Sequence, residues 1–250
     1  MEVVRINNIW ELLHGARIIG YGTTAICFLL KDNTVLKVFV NTHHKRSLFR
    51  VMEIIEHLSS MEKLNNDTYV APRKLVMIGD EVVAYIMDYR KAKTVKRLSN
   101  NVRVNDLLRN YPKLMEDTRI ISEEHFRISD MHDKNILFNG EYHIIDLDNG
   151  DFNETYKVDD LTKYNMQDIL LTVVSAMFGA SYDKNIYFNR ADMDEIYQRT
   201  VYNNPENFKE FIGALEEDIK IDNPSIGELK RNKSRILTLQ TRHNYYNRYW

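Results

Sequence analysis

The chain has 250 residues, 44% of them hydrophobic and 28% charged, with a formal net charge of −2. It is long enough to bury a real core as one large domain or two lobes, and its near-neutral balance gives no reason for whole-surface attraction to nucleic acid or membrane. Its one cysteine, Cys27, cannot close an internal disulfide, the start carries charges throughout rather than a signal-peptide core, and no run approaches the roughly 18 apolar residues of a bilayer span, so a cytoplasmic protein is expected.

Residues 16 to 40 read as three short strands, ARII, AICFLL and TVLKVFV, β-branched and apolar, punctuated by glycine or by Asp32-Asn33. From His43 to Leu64 the spacing turns helical, with Leu48, Met52, Ile55 and Leu58 on one stripe. Pro72 ends that region, and KLVMIG and EVVAYIMDY follow as strands joined at Gly79-Asp80. The first ninety residues thus read as a mostly antiparallel sheet with one inserted helix. Asn105 to Glu124 is helical in pattern, with Pro112 starting a second helix. Residues 136–138 and 143–145 read as a hairpin closed by Asn139-Gly140. Leu161 to Phe178 is a helix whose second half is apolar all round, and helices fill 190 to 240. The fold class expected is α+β, a small β-rich lobe over residues 1–87, a crossover at 88–90 and a mainly helical lobe over 91–250.

Three constellations carry chemistry. Gly20-Tyr21-Gly22-Thr23-Thr24-Ala25 lies between two strands, where paired glycines let backbone N–H groups approach a polyphosphate. No helix follows directly, which argues against a dinucleotide fold. Fifteen residues past Gly22, Lys37 stands between Leu36 and Val38 on a strand. It reads either as an exposed lysine on a half-buried strand or as a phosphate-binding cation paired to Glu53 or Glu56 of the following helix. The stretch 130–151 holds five aspartates. Phosphoryl transfer needs one carboxylate to orient the attacking hydroxyl and two hard oxygen ligands for magnesium. Asp130, Asn135 and Asp146 are the candidates, with the hairpin bringing the last two together at its open end. Asp133 and Asp151 read as solvent-facing.

In order, G-x-G-x-x-A, V-L-K, M-D-Y, D-M-H-D-K-N and I-I-D-L-D resemble the signature set of the protein-kinase-like superfamily over residues 18 to 150. The resemblance implies that ATP and magnesium are used. Lys37 would hold the α- and β-phosphates, and Asp130 would act as catalytic base. Asn135 and Asp146 would bind metal. Gly20, Gly22, Ala25, Cys27 and Val35 would surround the nucleotide, Cys27 roofing the adenine and Met87, Asp88 and Tyr89 lining its edge. Asp168 would brace the catalytic loop. The departures have consequences. Ile128-Ser129-Asp130 has no arginine before the aspartate, His132 stands where a lysine is usual, and Asp146-Leu147-Asp148 replaces D-F-G. This pattern is closer to the aminoglycoside phosphotransferase and choline kinase branch, which makes Asp148 a candidate extra metal acid. Twenty-two residues separate Asp146 from Asp168, with no A-P-E motif between them, and this weakens a peptide-substrate reading.

The stretch after Glu228 has six Lys or Arg and no acid. It reads as a solvated helix face followed by an aromatic anchor rather than as a nucleic-acid contact. The function expected is transfer of the γ-phosphoryl group of ATP to a hydroxyl of a small molecule or a protein. A nucleotide-binding pseudokinase and an adenylyl transferase on the same fold are the alternatives, and no membrane partner is expected.

Overall fold

The computed structural model describes residues 1–22, 24–40, 48–180, 184–200 and 207–241. Two compact units divide the chain: Met1–Lys91 together with Ile145–Asp148, and Ala92–Ile144 together with Asn149–Trp250.

The first unit is a six-stranded sheet. Its elements in chain order are β1 (Glu2–Ile6), helix α1 (Trp10–Leu13), β2 (Arg17–Tyr21), β3 (Ala25–Leu29), β4 (Thr34–Phe39), helix α2 (Leu48–Ser60), β5 (Lys74–Ile78) and β6 (Glu81–Asp88). Strand order is β1-β5-β6-β4-β3-β2, antiparallel except for the parallel pair β1 and β5. Neither β1 nor α1 was legible in the sequence. The charged ends of EVVRI hide its partner, which lies seventy residues on, at Lys74–Ile78. Both turns that were read from Asx and glycine signals sit where left-handed backbone is needed, with Asn33 at φ 63° and Gly79 at φ 59°.

Because side chains alternate across a strand, the sheet has two distinct faces. Leu36, Val76, Ala84 and Ile86 form the core on one face, packed against Val4, Ile6, Ile9, Leu12 and Leu13 of the N-terminal segment. The other face carries Lys37. Register places Gly20 opposite Cys27, Cys27 opposite Lys37 and Lys37 opposite Tyr85, so these four residues form one row across β2, β3, β4 and β6. Two residues along β4, Val35 pairs with Met87 on the same face.

The second unit contains β7 (Lys93–Thr94), helices α3 (Val104–Arg109) and α4 (Tyr111–Glu123), β8 (Phe126–Arg127), β9 (Ile136–Phe138), β10 (Tyr142–Ile144), β11 (Asp151–Phe152), helix α5 (Val158–Met177), β12 (Lys184–Phe188), helices α6 (Ala191–Gln198), α7 (Phe208–Ile219) and α8 (Ile226–Ile236), and β13 (Leu237–Thr241). Pro112 lies in the first turn of α4, where its missing N–H removes no helical bond. Ser225 and Glu228 cap α8 reciprocally. Helix α5 is the centre of this unit: Leu161, Ile169, Leu170, Val173, Val174 and Met177 are all at most 1% exposed. Residues 237–240, expected to be helical, lie instead in β13, antiparallel to β12. The basic Tyr/Asn-rich end from residue 242, the onset of the first long helix at 43–47, and Thr23 of the glycine loop lie outside the described residues.

Candidate functional site

Lys37 is 6% exposed in the centre of the sheet, so its ammonium needs compensation inside the first unit. Asp146 and Asp148 provide it. The Nζ donates to Asp146 Oδ1, and to Asp148 Oδ1 at 2.7 Å. It also lies 5.4 Å from the centre of the Tyr85 ring, a cation–π distance. The Tyr85 hydroxyl donates to the same Asp148 oxygen at 3.2 Å. His57 of α2 meets the Asp148 carbonyl at 3.2 Å.

Burial acts to lower the Lys37 pKa, but the charges and hydrogen bonds of Asp148 and Asp146 outweigh it, and the ammonium is held above its ordinary value. The two acids diverge although they share that lysine. Burial and the neighbouring Asp148 charge, against the pull of Lys37, leave Asp146 above the usual carboxylate range. For Asp148, burial is overcome by Lys37 and by hydrogen bonds, leaving its carboxyl below that range. Two carboxylates against one ammonium leave the cluster with a net negative charge, which suits a further cation.

The sequence reading paired Lys37 with Glu53 or Glu56, and the structure corrects this. Both glutamates are exposed on α2, while the partners of Lys37, Asp146 and Asp148, stand 109 and 111 residues further along the chain. The helix stripe that faces inward presents His57 and Leu58 instead. Of the other nucleotide-side candidates, Ala25, Val35 and Met87 are buried and Cys27 half-buried. Cys27, Val35 and Met87 share the face of Lys37. Asp88 is ion-paired to Arg73 at 2.7 Å, and Tyr89 is half-buried.

Burial, with Asp146 and Asp148 adding to it against the pull of Lys37, pushes the Cys27 thiol up to about 11. The thiolate fraction at pH 8 is then on the order of 10⁻³. Alkylation of Cys27 by iodoacetamide should therefore be far slower than that of a free thiol at pH 8 and should accelerate tenfold per pH unit up to pH 10. Rapid labelling at pH 7 would contradict the packing of β3 against β4.

A second cluster lies wholly in the other unit, between β8 and β9. Asp130 has its side chain 53% exposed and a left-handed backbone, φ 55°. Asp146 is also left-handed, at φ 64°. For a non-glycine residue this conformation costs about 1 kcal/mol or more and persists where surrounding bonds enforce it. For Asp130 those bonds are visible. Asn135 Nδ2 donates to the Asp130 carbonyl at 3.1 Å. The Asn135 backbone N–H donates to the His132 carbonyl at 2.9 Å. His132 Nδ1 accepts from the Lys134 N–H at 3.2 Å, and its Nε2 is 3.9 Å from Asp130. Asn135 is 5% exposed. Just before the loop, Ser129 Oγ donates to the Asn149 carbonyl.

The buried anchor of this loop is Asn165 on α5, 1% exposed. Its Oδ1 accepts from the Ile128 N–H at 2.9 Å, and its Nδ2 donates to the Phe126 carbonyl at 3.0 Å and to Ser122 Oγ at 3.2 Å. The sequence reading gave the bracing role to Asp168, which is exposed in the middle of α5. Asn165 was missed, although an asparagine on the inward stripe of an apolar helix signals a satisfied polar junction. Asp133 also departs from expectation. It is 6% exposed, not solvent-facing, with its carbonyl accepting from the Lys96 N–H at 3.0 Å. Asp151 is exposed on β11. The hairpin has the expected Asn139-Gly140 turn, with Gly140 at φ 109°. Its second strand ends at Ile144, opposite Ile136, so Ile145 and Asp146 lie beyond the ladder. After Asp148 the chain passes Gly150, where an added Cβ would sit 2.2 Å from the Phe126 ring. It then pairs as β11 with β8 and enters α5 at Val158.

No family model and no curated protein matches this chain. In fold, 1167 solved chains match, so the architecture is common and does not single out one activity. Among them is the kinase domain of PknI from Mycobacterium tuberculosis, with a TM-score of 0.52 and 13% identity, covering 80% of this chain and 93% of that one. The chain has the α+β, two-lobed protein-kinase-like fold, with a β-sheet N-terminal region and a helical C-terminal part.

Proposed function

We propose that the chain is an ATP- and magnesium-dependent phosphotransferase that moves the γ-phosphoryl group to a hydroxyl acceptor. The observation that carries this reading is the buried Lys37 ammonium held by Asp146 and Asp148 on the sheet face that also bears Cys27, Val35 and Met87. A charged lysine kept fully protonated on an otherwise apolar, adenine-compatible face is suited to polyphosphate. Asp130 would accept the acceptor's proton, its exposed carboxylate set by the Asn135 bond to its own backbone.

The acids present fit magnesium in their chemistry. Asp146, Asp148 and the Asn135 amide are hard oxygen donors, and the negative balance around Lys37 favours a cation. Asn135 and Asp146 would hold the ion, which would neutralise charge on the phosphates.

The acceptor reading leans to a small molecule. Nine residues separate Asp148 from Val158, the start of α5. Two of them pair with β8, which leaves little free chain on which to lay a peptide. No helix of the described residues is long and apolar enough to cross a membrane.

The test is incubation with γ-labelled ATP and lysate split into protein and metabolite fractions, with α-labelled ATP in parallel. Label from γ in the metabolite fraction supports the proposal. Label from α supports adenylyl transfer, and nucleotide binding with neither label supports a pseudokinase.

The glycine loop gives a sharper prediction. Gly20 and Gly22 have φ outside the left-handed region, and a Cβ on them would lie 3.9 and 3.8 Å from its nearest neighbour. The fold therefore does not need glycine at either position. Gly22→Ala should keep or slightly raise stability, by about 0.4–1 kcal/mol, while ADP affinity falls about tenfold because the added Cβ holds the phosphates off the loop backbone. Unchanged ADP affinity by calorimetry would remove the loop from the nucleotide site.

A further inference from the structure

We propose that Asp148, fixed by Tyr85, is the standing counter-ion that positions Lys37, while Asp146 is the carboxylate left to a divalent cation. This rests on the phosphotransferase reading and divides labour within that site. It replaces the expectation that Asp148 is a further metal acid and that a glutamate of α2 holds the lysine.

The two aspartates differ in how they are held. One oxygen of Asp148 accepts from both Lys37 Nζ, at 2.7 Å, and the Tyr85 hydroxyl, at 3.2 Å. Tyr85 is 1% exposed and directly opposite Lys37 in the β4–β6 register, so its ring and hydroxyl touch both partners of the pair. The Asp148 backbone is met separately by His57 at 3.2 Å. Its side chain is 16% exposed against 31% for Asp146. Asp148 is therefore gripped at side chain and backbone on its inner side, whereas Asp146 shows more of its carboxylate to solvent.

A cation arriving from solvent meets Asp146 first. If it takes that carboxylate, Lys37 loses one partner but keeps Asp148, and its ammonium stays pointed where it was. Dislodging Asp148 instead would strip the lysine and a buried tyrosine hydroxyl of their acceptor together, which is the costlier exchange. Glu53 and Glu56 of α2 are exposed and play no part in that pairing, so the lysine's aim is set by the Asp148 segment and the sheet.

Two measurements in the full chain test this, neither requiring turnover. The first is urea unfolding in EDTA for Lys37→Met, Asp148→Asn, Asp146→Asn and the two doubles containing Lys37→Met. The Lys37→Met/Asp148→Asn double should unfold at a midpoint no lower than its worse single variant, and the Asp146 double should be closer to additive. Additivity at Asp148, or stronger coupling at Asp146, overturns the assignment.

The second is calorimetric ADP binding with and without Mn²⁺. Asp148→Asn should weaken metal-free ADP binding about tenfold, Tyr85→Phe about threefold, and neither should change the factor by which Mn²⁺ tightens it. Asp146→Asn should abolish that factor. In a Lys37→Met background Asp148→Asn should have no further effect on ADP, which a merely structural role would not produce. Loss of the Mn²⁺ factor in Asp148→Asn would make it a metal ligand and overturn the proposal. A wild type that binds no ADP would overturn the phosphotransferase reading, and the unfolding cycle would still decide the Lys37–Asp148 pairing.

Discussion

Asp130→Asn should reduce phosphoryl transfer by about 10²–10⁴-fold, the range contributed by a positioned general base, while ADP affinity stays within about twofold. The separation follows from where Asp130 sits. Its carboxylate is half exposed, and its backbone is held by Asn135 Nδ2 at the carbonyl. Asparagine tolerates left-handed backbone as well as aspartate does, so the variant keeps φ near 55° and the loop keeps its shape. What it loses is the ability to take a proton. Single-turnover measurement with γ-labelled ATP and the identified acceptor reads the chemical step directly. A variant that retains a third or more of wild-type turnover would mean that Asp130 is not the base, and the acceptor's proton would have to leave by another route.

The largest loss of stability is expected at Asn165→Leu. Leucine has the same number and branching of side-chain heavy atoms but is bulkier; it leaves the Ile128 N–H and the Phe126 carbonyl without the asparagine, while Ser122 Oγ loses one bond and keeps the one it donates to the Thr118 carbonyl at 2.8 Å. All lie where water does not reach, since Asn165 is 1% exposed and Phe126 and Ser122 are fully buried. Each buried orphan costs about 1–3 kcal/mol, so the variant should lose about 3–5 kcal/mol. That is a large part of the roughly 5–15 kcal/mol by which domains are stable. Under mild conditions that leave it folded, turnover should fall too, because Ile128 and Phe126 lead directly into the 128–135 loop. Urea unfolding within about 0.5 kcal/mol of wild type would show that the loop has another anchor.

The candidate residues were more legible in the sequence than the contacts that hold them. Lys37 between Leu36 and Val38 was readable because a lysine amid an apolar strand is conspicuous, and the hairpin at Asn139-Gly140 was readable because Asn-Gly encodes its turn locally. What pairs with Lys37 was not. Alternation says which face a strand residue takes but nothing about which distant acid arrives there, so the nearest helix glutamates were the natural guess. Strand β1 was invisible for the same reason, its parallel partner being a segment seventy residues away. Asp133 was misjudged because a charged residue in a polar loop reads as solvated, and only tertiary packing reveals that it is covered. Asn165 was the recoverable case. Within LTKYNMQDILL it falls on the stripe shared with Leu161 and Ile169, and a buried asparagine there implies backbone to be satisfied.

The pairing of Lys37 also has a consequence for how the protein is made. Its two carboxylates are encoded 109 and 111 residues after it, whereas every strand of the six-stranded sheet is complete by Asp88. During synthesis from the N-terminus, at about 5–20 residues per second, the sheet strands emerge several seconds before Asp146 and Asp148. Until then a nascent sheet that closed over Lys37 would bury an unmatched charge. Closure of the sheet over Lys37 should therefore wait for the segment that carries Asp146 and Asp148. A released fragment ending at Lys91 should accordingly be far less stable than its strand content suggests, and adding the missing aspartates in trans as a peptide spanning 142–152 should tighten it.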